Sequence, residues 1–200
     1  SGGLLTMSGT QTYQFNLLDG VLGAGTYMLI EGGANTSAGG VGLVHNLPAN
    51  VRQSFALQRP ASGNGQCYVR LVVAGNAASL VWTGTNAAGA VWDNTLVNWA
   101  NGPAADRFYD LDAVTFDTTS TNGNVTIAAP LAPRAATVTN TTTPYTFGGA
   151  GSIGGRALLV KSGTGTLWIH TSNSFAGGTV IRGGTVQLGS VTANAFGLGG

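Results

Sequence analysis

Five of the seven acidic residues, Asp93, Asp106, Asp110, Asp112 and Asp117, fall in one stretch, and none follows Asp117. Glycoside hydrolysis needs a pair of carboxyl groups flanking the bond, one protonated and one ionised. A lyase that works on a parallel β-helix needs acidic calcium ligands and a basic residue. Arg107 beside Asp106, with Asp110 and Asp112 close by, is where either arrangement could be assembled. Asp110 and Asp112 are the candidates for a calcium site, although the stretch lacks the D-x-D-x-D-G spacing of a loop that wraps the ion. The plainer reading is structural, since the two alternate on a strand and share a face, with Tyr109 and Leu111 on the other. No catalytic residue is assigned, and the chain is not read as an enzyme.

Trp82, Trp92 and Trp99 stand beside Asn86, Asn94, Asn98 and Asn101. Trp92 and Trp99 could stack on sugar rings as surface glycans are bound. The alternative is that the tryptophans pack over the side of the fold and anchor an excursion from Gly84 to Pro103, with large apolar area buried. His45 and His170 lie far apart with no acidic neighbour, so neither a triad nor a metal site is indicated. Gly149-Ala150-Gly151-Ser152-Ile153-Gly154 matches G-x-G-x-x-G, but Arg156 to Val160 continues as a strand and no acidic residue follows to hold a ribose. Turn glycines account for it, and no cofactor is expected. Asn35, Asn124 and Asn140 head N-x-S/T sequons, and Thr137 to Thr143 could be a Thr ladder or an O-glycan acceptor.

These residues need a scaffold, and the composition restricts it. Of the 200 residues 43% are hydrophobic, enough for a core, while only 8% are charged and the net charge is +1. A usual share of charged residues is about 25%. The surface must therefore be Thr, Ser, Asn, Gln and Gly, with no footprint for nucleic acid or anionic lipid. Cys67 is the only cysteine, so no internal disulfide exists, and beside Tyr68 and Val69 it reads as a small buried hydrophobe. No apolar run reaches the roughly 20 residues of a membrane span, and no signal peptide is visible. Opening on Ser-Gly-Gly and closing on Gly-Leu-Gly-Gly, both ends read as cuts inside a longer polypeptide.

With 33 glycines there is little room for a long helix; the best candidate, residues 94–105, is interrupted by Gly102 and Pro103. Period-two alternation marks strands at 12–17, 68–73, 113–116, 125–127 and 185–188. Gly165-Thr166-Leu167 recurs as Gly184-Thr185-Val186, a shift of 19 residues from 166 to 185, with a further copy at Gly178-Thr179-Val180. Such a period is that of a solenoid coil, which cannot bury its apolar face without neighbours.

The residues Lys161 to Leu167, Asn173 to Thr179 and Gly183 to Gly189 resemble the autotransporter-associated β-strand repeat, also called the passenger-associated transport repeat. Its signature here is Gly163, Gly165, Thr166, Gly177, Gly178, Thr179, Gly183, Gly184 and Thr185. The likeness covers about the last quarter of the chain. It extends more loosely to Trp82, Trp92, Trp99, Asp112 to Asp117 and Tyr145 to Phe147, similar to the segment that precedes the repeat in large bacterial surface proteins. Trp168 and His170 depart from the pattern, where small or polar residues are commoner, and leave room for a local surface specialisation.

The resemblance implies an all-β, right-handed parallel β-helix with a Trp-containing loop excursion. Residues 1–78 would close a preceding solenoid unit, or form a β-sandwich-like part, and residues 79–200 would lead into the repeat. The expected role is a shaft, stalk or filament displayed on the surface of a Gram-negative bacterium, in partnership with flanking repeats or further copies joined end to end as a homopolymer. A carbohydrate-binding or polysaccharide-degrading module is the alternative.

Overall fold

The structure, a computed structural model, describes residues 9–15, 22–34, 42–59, 66–189 and 194–197. The chain divides into two compact units, residues 1–76 and 77–200. All regular structure among the described residues is β-strand. The interrupted stretch at 94–105 folds into short strands rather than a helix.

The first unit contains β1 (Thr10–Tyr13), β2 (Gly25–Ala34), β3 (Gly42–His45), β4 (Ser54–Gln58) and β5 (Gln66–Ala74). β1 and β3 pair in parallel. β5 lies between β2 and β4 and runs antiparallel to both. The unit is thus not built only of stacked parallel coils. The physical reason is visible between β4 and β5, where the connection is shorter than the dozen or more residues a parallel crossover requires. Leu71 and Val73 alternate into its core with Leu47, against Tyr27, Leu29, Phe55 and Leu57.

The second unit is a β-solenoid. Its strands are β6 (Ser79–Trp82), β7 (Val91–Trp92), β8 (Trp99–Asn101), β9 (Ala104–Asp106), β10 (Ala113–Phe116), β11 (Asn124–Ile127), β12 (Pro130–Leu131), β13 (Ala135–Val138), β14 (Tyr145–Gly148), β15 (Ser152–Ile153), β16 (Leu158–Lys161), β17 (Thr166–Ile169), β18 (Thr179–Ile181) and β19 (Thr185–Leu188). β6, β10, β13, β16 and β18 stack in parallel as one sheet, and β7, β11, β14, β17 and β19 as a second. A third, short sheet pairs β12 with β15.

Register makes the core. Inward residues fall directly above one another from coil to coil: Leu80, Val114, Ala136 and Leu159 in the first sheet, Val125, Phe147, Ile169 and Leu188 in the second. Each apolar side chain thereby buries area against like residues of two neighbouring coils, worth about 25 cal/mol per Å² removed from water. The sequence repeat is confirmed in space, since Thr166 lies opposite Thr185 and Leu167 opposite Val186. The copy at Thr179 belongs to the first sheet, where it lies opposite Leu159.

The two edges of this unit differ. Beyond β6 the first sheet turns antiparallel, with β8 against β6 and β9 folded back on β8. This hairpin closes the edge and delivers aromatic rings onto the end of the core. At the other edge β18 and β19 leave core-row residues about half exposed: Ile181 is 52% exposed and Leu188 46%.

Candidate functional site

Asp110 and Asp112 sit in the corner that leads into β10, flanking Leu111, which adopts a left-handed φ of 70°. Asp112 is fully buried. Its two oxygens accept from the backbone N–H of Ala78, at 2.7 Å, and of Tyr109, at 3.0 Å. Asp110 reaches the opposite way, accepting from Ala132 N–H at 3.0 Å. One carboxylate therefore braces the coil before and the other the coil after, and the left-handed Leu111 between them aims the two in opposite directions.

The other three aspartates of the 93–117 stretch cap their own loops. Asp93 accepts from Thr95 and Leu96, Asp117 from Thr119, and Asp106 from Asn101 and the Arg107 backbone. Arg107 lies over the Tyr109 ring, 4.8 Å from its centroid, and donates to the Tyr109 hydroxyl. Among the described residues no three acidic, histidine or cysteine side chains come together as a metal site would need. The clustering of Asp93 to Asp117 in sequence thus does not become a cluster of carboxylates in space, because a coil distributes neighbouring residues around its perimeter.

Trp92 and Trp99 are 0% and 1% exposed. Neither ring keeps a free face for a sugar, which corrects the stacking assignment. They meet edge to face at 5.5 Å, Trp82 meets Trp99 at 4.9 Å, and Phe108 and Phe116 stand 5.5 and 5.4 Å from Trp92. The excursion that carries them is an end cap more than a side cover. Asn98, also buried, holds it together by accepting from Asn86 N–H and donating to the carbonyls of Gly89 and Val91.

Asn140 is likewise buried, with its amide donating to the Thr143 and Thr166 carbonyls, so this sequon is no glycan acceptor in the folded chain. Asn124 is exposed, and Asn35 lies outside the described residues. Cys67 lies on β5, its side chain outside what is described. The Gly149 to Gly154 motif forms the corner after β14 and then β15 itself, with no helix after it.

The repeat signature has a steric explanation. Gly163 has φ +73°, and a Cβ there would lie 2.4 Å from the Asn140 carbonyl of the coil beneath. Gly184 repeats this one coil on, its φ again +73° and a Cβ 2.4 Å from the Gly163 carbonyl. Stacked corners this tight leave no room for a side chain. Beside them the chain's only lysine, Lys161, occupies a core row between Val138 and Ile181. Its buried ammonium donates to the carbonyls of Ser162 and Gly163 at 2.6 and 3.1 Å and reaches that of Gly183 at 3.5 Å. Burial lowers its pKa from the ordinary lysine value.

Tyr145 supplies a pH prediction. Burial first, and the Asp117 charge second, push its phenol from 10.0 up to about 12, against the lowering effect of Ser120. Its hydroxyl donates to the Asp117 carbonyl at 2.7 Å. Since the folded pKa is the higher, the stability it contributes is complete below pH 10 and is lost as the pH rises toward 12. Urea unfolding at stepped pH is expected to show Tyr145→Phe weaker than the parent by about 1 kcal/mol at neutral pH. Between pH 10 and 12 the parent alone should lose on the order of 2 kcal/mol, so that the deficit closes and then reverses. Parallel curves would refute this.

Comparison with known proteins agrees with this architecture. The family model of the Passenger-associated-transport-repeat matches residues 159–188. The chain is similar to the Adhesin BmaC autotransporter of Brucella suis biovar 1 (strain 1330), with 34% identity over 138 residues. That alignment takes in 69% of this chain and 4% of the Brucella protein, so the chain spans a small fraction of that relative's length. No solved structure matches. Stacked parallel coils, glycine corners at the repeat positions and these two matches together make the chain an autotransporter-associated repeat protein, with its passenger-associated transport repeat at residues 159–188.

Proposed function

We propose that this chain is a structural segment of a surface-displayed passenger: a shaft coil of an adhesin-type autotransporter of a Gram-negative bacterium. The observation that carries the reading is the asymmetry of the second unit, closed by an aromatic cap at one edge and, among the described residues, exposing core-row residues at the other. Core-row residues Ile181 and Leu188 at the open edge continue the stacks of Lys161 and Ile169, and they ask for a further coil in the same register. In the intact protein a following repeat would cover them; in the isolated chain another copy would, edge to edge. The work is mechanical, with backbone ladders and a continuous core holding a rod. The adhesin name of the Brucella relative supports surface display, and the five aspartates from Asp93 to Asp117, each accepting from backbone N–H groups, favour structure over catalysis.

Sedimentation and negative-stain microscopy of the 200-residue chain test the assembly. Concentration-dependent association is expected, and Ile181→Arg with Leu188→Arg should abolish it without lowering the melting temperature. A parent chain that stays monomeric at high concentration would overturn end-to-end assembly.

A further inference from the structure

We infer that the outward face of the second sheet carries a binding site for a neutral saccharide, centred on Trp168 and a notch at Gly148. Trp168 is the one tryptophan that points out of the solenoid; it is partly exposed, while the other three are buried. It lies in a row across the coils with Asn124, Thr146 and Gln187. His170, exposed, holds its ring nearly parallel to the indole, with 6.2 Å between centroids and 22° between planes.

Gly148 makes the space. It lies opposite Thr126 on β11, and on its other side the chain continues past Ile169 into His170, whose backbone N–H donates to the Phe147 carbonyl at 2.8 Å. A Cβ at Gly148 would meet nothing within 4 Å. The imidazole leans the other way, over Gly189, where a Cβ would lie 2.3 Å from Nδ1. Thr126 and His170 thus stand two strand spacings apart, roughly 10 Å, with only glycine between them. That width accommodates a pyranose ring.

The chemistry of the walls selects the occupant. An indole face takes the C–H face of a sugar, and the Thr126 and Thr146 hydroxyls and the Asn124 amide, on the strands that border Gly148, supply donors and acceptors for its hydroxyls. No charged residue occupies an outward position of β11, β14, β17 or β19. An anionic polymer therefore finds no counter-charge. A single aromatic contact gives weak affinity, and display of many chains on one surface would raise the effective strength. This site does not depend on the shaft reading, and its failure would leave that reading untouched.

The test is titration of the whole chain with maltotriose, cellotriose and mannotriose, followed by the Trp168 indole N–H resonance and by fluorescence. A saturable shift with at least one is expected. Trp168→Ala should weaken it at least about tenfold, the equivalent of one aromatic contact. Gly148→Thr, which fills the notch and keeps the indole, should do the same with no loss of stability. Absence of saturable binding to all three sugars would overturn the proposal. So would binding that survives Gly148→Thr, or binding confined to heparin fragments and lost with salt.

Discussion

Trp92→Ala is expected to lower the stability of the second unit by about 4 kcal/mol, the range found when a buried Trp or Phe is truncated to alanine. The ring is fully buried and touches Trp99, Phe108, Phe116 and Phe147 at centroid distances of 5.5, 5.5, 5.4 and 6.1 Å. Its removal leaves a cavity that the rigid ladders on either side cannot collapse to fill. Trp168→Ala is the matched control: it removes the same side chain from the outer face and should change stability by no more than about 0.5 kcal/mol. Urea unfolding of the three chains reads the contrast. Equal losses in both variants would refute the assignment of Trp92 to a core cap.

The second large effect is expected at Asp112. Asp112→Ala should lose about 3 kcal/mol, since it leaves the Ala78 and Tyr109 N–H groups in a buried corner without the charged acceptor that serves both. Asp112→Asn should not restore it. An amide has one acceptor oxygen for two donors, and its NH₂ group would face an N–H. Asp110→Ala should lose only about 1 kcal/mol, because that carboxylate is partly exposed and holds a single bond to Ala132. A calcium site would behave differently: both alanine variants would then be affected alike and a chelator would lower the melting temperature of the parent. That pattern would overturn the bracing role.

These two residues also illustrate how far the chain could be read unaided. The solenoid was legible at Thr166 and Thr185 because a coil stacks on its neighbour only when glycine corners and inward apolar residues recur at a fixed interval. The roles of Asp112 and Trp92 were not legible. Asp112 is a brace because it meets Ala78, one coil away and 34 residues earlier. Trp92 is core because β8 and β9 fold back across the sheet edge, a reversal that no local pattern between Gly84 and Pro103 announces. Spacing along a strand tells which residues share a face, and says nothing of whether that face is then covered.

Sequence alone determined the class of the fold and the place of the repeat, since both rest on local periodicity: alternation for strands, glycine for corners, and 19 residues between Gly-Thr steps. Tertiary structure alone decided which residues of one chemical type are free to act. Four tryptophans look alike in the sequence, yet three are sealed in the second unit's core and Trp168 stands outside beside the open notch at Gly148. The difference arises from register across coils, a long-range relation fixed by backbone pairing between segments far apart in the chain.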